Sequence, residues 1–373
     1  MSKIPNGHEV IALFEHFYPK SLAMEGDKIG LQLGSLSAPA EHVLVALDVT
    51  EEVVQEAIEK QCTLIIAHHP FIYYPLKQIL TDTSQGRIID LCLHHNIAIY
   101  AAHTNLDVAP GGVNDLLADA LQLQHTEVLV PTYEDKLKKL VVFVPVTHEV
   151  TMRKALGDSG AGSIGKYSHC SFTGLGTGAF LPMEGTNPFI GKQGELTKVE
   201  EVRIETVFPA SLQRQVVKSM LEAHPYEEVA YDIYSLDNKP NRLGLGRIGV
   251  LQNEMTVEQF ANYVKECLEV PVVRVVGKLQ DRVRKVAVLG GDGNKYWKQA
   301  KFRGADVYIT GDLYYHVAHD ALTYGLNVID PGHNVEKVMK KGVQKRLQRE
   351  LNNKNYNVTI HSSTIHTDPF VFI

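Results

Sequence analysis

Cysteine is scarce in this chain: four in 373 residues, at Cys62, Cys92, Cys170 and Cys267, with no C-x-x-C pair. That spacing excludes a disulfide framework and a thiolate metal knuckle, and the mostly apolar neighbours read as buried free thiols of a reducing compartment. Long apolar runs are missing too. None approaches the roughly 18 residues a membrane span requires, and the opening MSKIPNGHEVIALFEHFYPK has a histidine and acids where a secretory signal has an apolar core. The expectation is a cytoplasmic protein with no membrane partner. Charge of one sign is also absent: 37 basic against 43 acidic residues give a net charge of −6, so no broad basic face is available to a phosphate backbone. Lys340, Lys341, Lys345, Arg346 and Arg349 cluster on one predicted helix and read as its solvated face. Nucleic acid is therefore not an expected partner.

What remains is an ordinary globular composition, 44% hydrophobic and 21% charged, on a chain long enough for two to three domains and a core that needs no staples. From residue 41 apolar β-rich runs alternate with helix-period segments, the pattern of α/β units around a largely parallel sheet. Strands are predicted at 43–49, 63–69 and 97–103, with helices from Thr50 to about Lys60, from Ser84 to His94, and over VNDLLADAL after the Pro110-Gly111-Gly112 turn. The C-terminal part repeats the order: strands at 285–291, 305–312 and 326–330, helices near 296–302 and 315–323, and a helix starting near His333. LIIAHHP overlays VYITGDL and IYAAHTN overlays VIDPGHN, so the chain reads as two pseudo-repeated αβ halves, central β-sheets flanked by helices.

Between them the texture changes. KLVVFVPV, a helix from Thr147 to about Leu156, HCSFTG and GAFLP as separate strands, EEVRIETVFP, a helix over 210–223 and VAYDIYSL give a β-α-β-β-(β)-α-β order, which suits an inserted ferredoxin-like α+β domain. The Gly-, Pro- and Asn-rich stretch 174–194 reads as its longest irregular segment. The expected domains are 1–128 and 240–373 as the two halves of one α/β domain, with 129–239 inserted.

Seventeen histidines are many, and several follow strand ends. In such sheets ligands gather beyond the carboxyl ends of the strands, where His68, His69, His103, Asp107, Asp312 and His333 all fall. Adjacent His68 and His69 project in different directions, which serves two neighbouring ions better than one; the competing reading is a strand-capping surface dipeptide. Asp107 is placed either to bind metal, with His103 and Asn105 orienting it, or only to stabilise, through its backbone, the Pro110-Gly111-Gly112 turn that follows. His333 and Glu336, three apart, share a helix face, or form a capping arrangement. Taken together, three strand ends supply three imidazoles and two carboxylates, a donor set that suits zinc, iron, manganese, cobalt or nickel better than calcium or magnesium. Two divalent ions against Asp107 and Glu336 leave a formal excess of two positive charges, which favours a bridging hydroxide. Two such ions lower the pKa of water from 15.7 towards roughly 7, so hydrolysis is the natural chemistry. His316, just past another strand end, is a candidate acid/base or substrate contact, with His319 a weaker one. Gly290-Gly291-Asp292-Gly293 lacks the full spacing of a nucleotide-binding loop.

AHHPFIYYPLK, AAHTNLDVAPGGVND, TGDLYYHVAHDA and DPGHNVEK, in that order, resemble the Nif-three-like family of dinuclear metal centre proteins, often labelled GTP cyclohydrolase I type 2 homologues. Asp27-Lys28-Ile29-Gly30-Leu31-Gln32 resembles its N-terminal D-x-x-G-L-Q signature. The resemblance covers 1–128 and 240–373. It implies that His68, His69, Asp107, His333 and Glu336 are metal ligands for two divalent ions per subunit, zinc first, in a ring-like homohexamer. In some members the last histidine and glutamate are four apart; here they are three apart. The inserted segment, especially His224-Pro225-Tyr226-Glu227-Glu228, is similar to CutA and PII-like folds, which implies trimer contacts through the insertion; His224 itself reads as a packing residue. Two functions follow from the resemblance. One is a metal-dependent hydrolase of a nucleotide or phosphorylated small molecule, with a metal-bound hydroxide and GTP ring opening as the named activity. The other is a non-catalytic regulatory or scaffold hexamer whose PII-like domain senses a ligand. DNA binding, a third reading, fits poorly with the acidic balance.

Overall fold

The computed structural model describes residues 3–238 and 240–373. The chain divides into two compact units, one made of residues up to Tyr133 together with Leu243–Ile373, the other of Glu134–Arg242. Among the described residues no helix is long and apolar enough to cross a membrane.

The larger unit begins with strands β1 (Gly30–Leu33), β2 (His42–Ala46), β3 (Leu64–Ala67) and β4 (Ala98–Ala101). β2, β3 and β4 run parallel, and β1 closes the edge antiparallel to β4. Nearly every residue of the parallel strands is buried, as expected where a sheet is covered on both faces. Alternate side chains feed two cores: Leu44, Ile65 and Ile99 pack with Val53, Ile88 and Cys92 of the helices Glu51–Glu59 and Ser84–His94. Val43, Val45, Ile66 and Tyr100 face the opposite way, into the unit's main core. Each such aliphatic side chain contributes about 1.5–3 kcal/mol by leaving water. Thr50 and Thr83 cap the two helices by accepting from Val53 N and Gly86 N.

β5 (Gln124–Asp135) leads into the smaller unit, which holds β6 (Leu137–Pro145), β7 (Phe172–Phe180), β8 (Thr197–Pro209) and β9 (Tyr231–Ser235). Its sheet has the order β7-β8-β6-β9, antiparallel throughout. With helices Glu149–Asp158 and Gln213–Ala223 this is the β-α-β-β-α-β ferredoxin-like arrangement. One detail differs from the sequence reading. HCSFTG and GAFLP are not two strands: a single strand runs from Phe172 through Gly174, Gly176 and Gly178 to Phe180. Glycine lowers strand propensity, but nine consecutive residues paired with β8 hold the backbone extended. The irregular excursion therefore starts after Phe180 rather than at 174.

The chain returns through β10 (Asn241–Thr256) to β11 (Arg274–Val276), β12 (Arg282–Asp292), β13 (Val307–Gly311), β14 (Asn327–Asp330) and β15 (Thr359–Ser362). The two sheets of the larger unit run β1-β4-β3-β2-β15 and β11-β14-β13-β12-β10-β5. Their repeated part is plain: β1-β4-β3-β2 has the order and directions of β11-β14-β13-β12, an antiparallel edge strand followed by three parallel ones. β3 corresponds to β13 and β4 to β14, as the overlay of LIIAHHP on VYITGDL requires. The carboxyl ends of both parallel sets carry the site.

Candidate metal centre

His68 and His69 follow directly on β3, and their backbone N–H groups donate to Ala46 O and Leu47 O, so the ladder with β2 extends through them. His103 follows β4. Asp107 sits in the short helix Thr104–Val108. His333 and Glu336 lie in a 3-10 turn, His333–Lys337, that precedes the helix Val338–Asn353. The helix expected to start near His333 thus begins one turn later, and no side chain caps its first turn. The sequence motif serves the site instead. The Asp107 side chain likewise does not hold the turn that follows it: Gly111 N donates to Asp115 Oδ2 at 2.6 Å. Nor do the side chains of His103 and Asn105 orient Asp107. Asn105 donates to Tyr18 O at 2.9 Å, and Asp107 is held through its main-chain carbonyl by Asn114 Nδ2 at 3.0 Å.

The five expected residues converge. Glu336 Oε2 lies 3.0 Å from His69 Nε2, 3.2 Å from His333 Nε2 and 3.6 Å from His68 Nε2. His68 Nε2 is also 3.6 Å from Asp107 Oδ1. Three donor trios result: His68, Asp107 and Glu336; His69, His333 and Glu336; and His68, His69 and His103. His103 is the imidazole that sequence reasoning left outside the ligand set.

Each imidazole is fixed through one nitrogen. His68 Nδ1 meets Ala102 O at 2.9 Å, His69 Nδ1 meets Asp48 at 2.6 Å, His103 Nδ1 meets Asp27 at 2.9 Å and His333 Nδ1 meets Asp312 at 2.6 Å. An outer acceptor on Nδ1 leaves Nε2 free for an ion and fixes the ring's orientation, as outer partners of metal-bound histidines do. Asp48 lies two residues past β2, and Asp312 directly follows β13. Asp312 has φ of +73°, a left-handed conformation that aspartate tolerates at a cost of about 1 kcal/mol. It delivers the carboxylate to His333. Acids just past the ends of β2 and β13 were a signal available in the sequence.

The electrostatics are those of a cage built for cations. Burial alone would raise the Glu336 carboxyl, but His68, His333 and His69 hold it well below the usual carboxylate range. Burial pushes Asp107 up to about 6 against the opposing pull of His68. Burial works against protonating His69, yet Asp48 and Glu336 carry its pKa up to about 10. The hydrogen bond to Glu336, with help from Asp312, raises His333 to about 9. The formal balance differs from the sequence estimate. Asp27, Asp48 and Asp312 join Asp107 and Glu336, so two divalent ions, if held here, would be set against five carboxylates and the expected positive excess would disappear.

Two atoms test whether an ion fits. His68 Nε2 and Asp107 Oδ1 are buried and have no hydrogen-bond partner, an arrangement that costs about 1–3 kcal/mol per group unless something fills it. At 3.6 Å they are too far apart to bond each other. Two ligand atoms each about 2.1 Å from one tetrahedral ion stand about 3.4 Å apart, close to the spacings observed. The residues fit divalent ions.

Gly291 belongs to this fit. A Cβ there would lie 2.6 Å from Glu336 Oε1, and its φ is +64°, so the glycines near the carboxyl end of β12 make room for Glu336. A cavity of about 430 Å³ opens beside His69 and His333, lined also by Tyr314, Asn334, Thr367 and Phe370. Thr367 Oγ1 donates to Asp48, tying the C-terminal segment to the group that orients His69. His316 is exposed on the helix Tyr315–Thr323, its ring against Tyr315 at 5.4 Å, and it belongs to none of the trios. His319 meets the same tyrosine edge-on, with ring centroids 4.7 Å apart. His224 is buried in the smaller unit, with Nε2 2.9 Å from Phe143 O and Nδ1 accepting from Tyr226 N.

Comparison with known proteins agrees with this architecture over its whole length. A Bacillus subtilis protein named GTP cyclohydrolase 1 type 2 homolog is 58% identical over 373 residues, covering all of both chains. The crystal structure of a Bacillus cereus protein related to NIF3 superposes with a TM-score of 0.95 at 67% identity, again over both full chains. A Staphylococcus aureus structure gives 0.78 at 33% identity over 99% of each chain. The family model Duf34/NIF3 (NGG1p interacting factor 3) matches residues 5–369. With that match and these relatives, the chain belongs to the Duf34/NIF3 family.

Proposed function

We propose that the chain binds two divalent metal ions and uses them to hydrolyse a nucleotide or another phosphorylated small molecule. The observation that carries this reading is the sharing of Glu336 between two donor trios, one completed by His68 and Asp107, the other by His69 and His333. His103 stands beside His68 and His69, its ring nitrogen within reach of an ion they would hold. The mixed imidazole and carboxylate donors favour zinc, with iron, manganese, cobalt or nickel as alternatives. Bound there, the ions would supply Lewis acidity and an acidified water. The protein's own contribution is orientation: Asp48, Asp27, Asp312 and Ala102 O hold the four rings, and the cavity at His69 and His333 admits part of a nucleotide-sized ligand. With no net positive excess in the cage, binding of an anionic substrate would rest on the Lewis acidity the ions supply rather than on overall charge. The name of the Bacillus subtilis relative supports GTP as the first substrate to try. A homohexamer with trimer contacts through the smaller unit, and an acid/base role for His316, belong to the same proposal.

The test is a nucleotide and phosphoester hydrolysis screen on metal-loaded protein, beside light scattering. Turnover that disappears in His68→Ala while the assembly stays six-fold supports the proposal, and His316→Ala should then lower turnover without loss of metal. No turnover of any substrate by protein carrying two ions per chain would overturn the hydrolase and leave a structural or regulatory metal site.

A further inference from the structure

The smaller unit holds a cavity of about 720 Å³, within the range of small-molecule sites. Strand register creates it. Gly174, Gly176 and Gly178 of β7 stand opposite Arg203, Glu201 and Val199 of β8. This is the face away from the unit's apolar core, which takes Val202 and Ile204 instead. β7 therefore contributes three alternate positions with no side chain, bounded by Phe172 and Phe180. The excursion after Phe180 adds Phe189 and Ile190 to the lining.

A bare groove does not explain Glu201. It is only 8% exposed, and its Oε1 accepts from the Tyr226 hydroxyl at 3.1 Å. Nearby bases are engaged elsewhere: Lys139 and Arg203 both pair with Glu205, at 2.8 and 2.9 Å. Among the described residues no cation pairs with Glu201. A Cβ at position 178 would lie 2.1 Å from Glu201 Oε2, so glycine there is what lets the carboxyl lie across β7. Around Tyr226 stand two more rings, Phe180 at 5.8 Å and Phe189 at 6.3 Å between centroids.

An apolar guest would leave Glu201 buried with an unmet need for a donor, which is costly. An anionic guest would meet Glu201, Glu205, Glu227 and Glu228 against the single guanidinium of Arg203. Aromatic faces and a carboxylate together suit one class of ligand, a cation on an apolar or planar body. We infer that this cavity is a binding site for a small organic cation, its N–H groups on Glu201 and its body among Phe180, Phe189 and Tyr226. All of these residues belong to the smaller unit, so the inference is independent of the metal centre.

The test uses the full-length protein and three probes of one shape: benzamidine, neutral benzamide and anionic benzoate, titrated by calorimetry. Benzamidine should bind at least roughly 10-fold more tightly than benzamide, with no uptake of benzoate. Glu201→Gln should remove that preference while the urea unfolding midpoint stays within error. Tyr226→Phe keeps the ring and should retain measurable benzamidine binding. Equal affinity for benzamidine and benzamide would overturn the inference, as would an unchanged preference in Glu201→Gln. It would also fail if no probe bound, and break-up of an oligomer by Leu175→Glu, at an exposed residue of β7, would then show that a second copy of the chain fills the space.

Discussion

His69 Nε2 and Glu336 Oε2 lie 3.0 Å apart although 267 residues separate them in the chain. Only the docking of the two pseudo-repeated halves brings them together, and Glu336 then reaches His68 and His333 as well. Because it completes both trios, Glu336→Gln should reduce bound metal from about two ions per chain to well under one, whereas His333→Ala should retain one. Elemental analysis of the two variants purified in parallel checks this. Equal losses from both would show that the sites are not divided in this way.

The outer carboxylates should act on affinity rather than on occupancy. Asp48→Asn removes the charged acceptor of His69 Nδ1 and is expected to weaken metal binding about 10–100-fold, measured by competition with a chromophoric chelator. Asp312→Gly should weaken binding similarly while leaving the unfolding midpoint of the metal-free protein unchanged or raised, because glycine relieves the left-handed strain at φ +73°. A drop in stability together with affinity would mean that Asp312 serves the fold instead.

Much of this was legible in the sequence, for a physical reason. Parallel strands buried on both faces are near-continuous apolar runs, so β2, β3, β4, β12, β13 and β14 stand out, and the residues directly after them are the ones that face a ligand. That singled out His68, His69, Asp107, His333 and Glu336, which the structure gathers beyond the strand ends. It assigned His103 an outer, orienting place, whereas the structure groups that ring with His68 and His69. His103 and Asp107 both follow β4 and both present a donor atom to the site, an arrangement set by the short helix Thr104–Val108, by Asn114 on the Asp107 carbonyl and, 76 residues away in the chain, by Asp27 on His103. The glycines of β7 misled for a related reason: composition reads them as loop, but their pairing with β8 and the need to clear Glu201 are tertiary facts.

Asn114 joins the halves at the site. It is 1% exposed, donates to Asp107 O at 3.0 Å and accepts from Gly290 N at 3.0 Å. Asn114→Ala strands both partners and should cost about 2–4 kcal/mol, read as a lower urea midpoint in metal-free protein. A change below about 0.5 kcal/mol would indicate that water replaces the amide.

Glu56 fastens the C-terminal segment: it accepts from Ser363 Oγ at 2.5 Å and from Thr364 N at 2.9 Å, and pairs with Lys60. Burial would raise its pKa, but Lys60, Ser363 and Thr364 lower it to about 2. A carboxyl depressed in the folded state stabilises it fully above its unfolded value near 4.5, and that stabilisation is lost as the pH falls towards 2. Glu56→Gln should remove about 2 kcal/mol at neutral pH, allowing for partial solvent screening, and should flatten the acid limb of stability between about pH 4.5 and 2. Parallel acid limbs for the wild type and the variant would rule this out.

Anomalous diffraction from crystals of protein purified without added chelator tests the two-ion centre most directly. Two peaks per chain are expected, one against His68 and Asp107, the other against His69 and His333, with Glu336 touching both. A lone peak, or none in material never exposed to chelator, would contradict it.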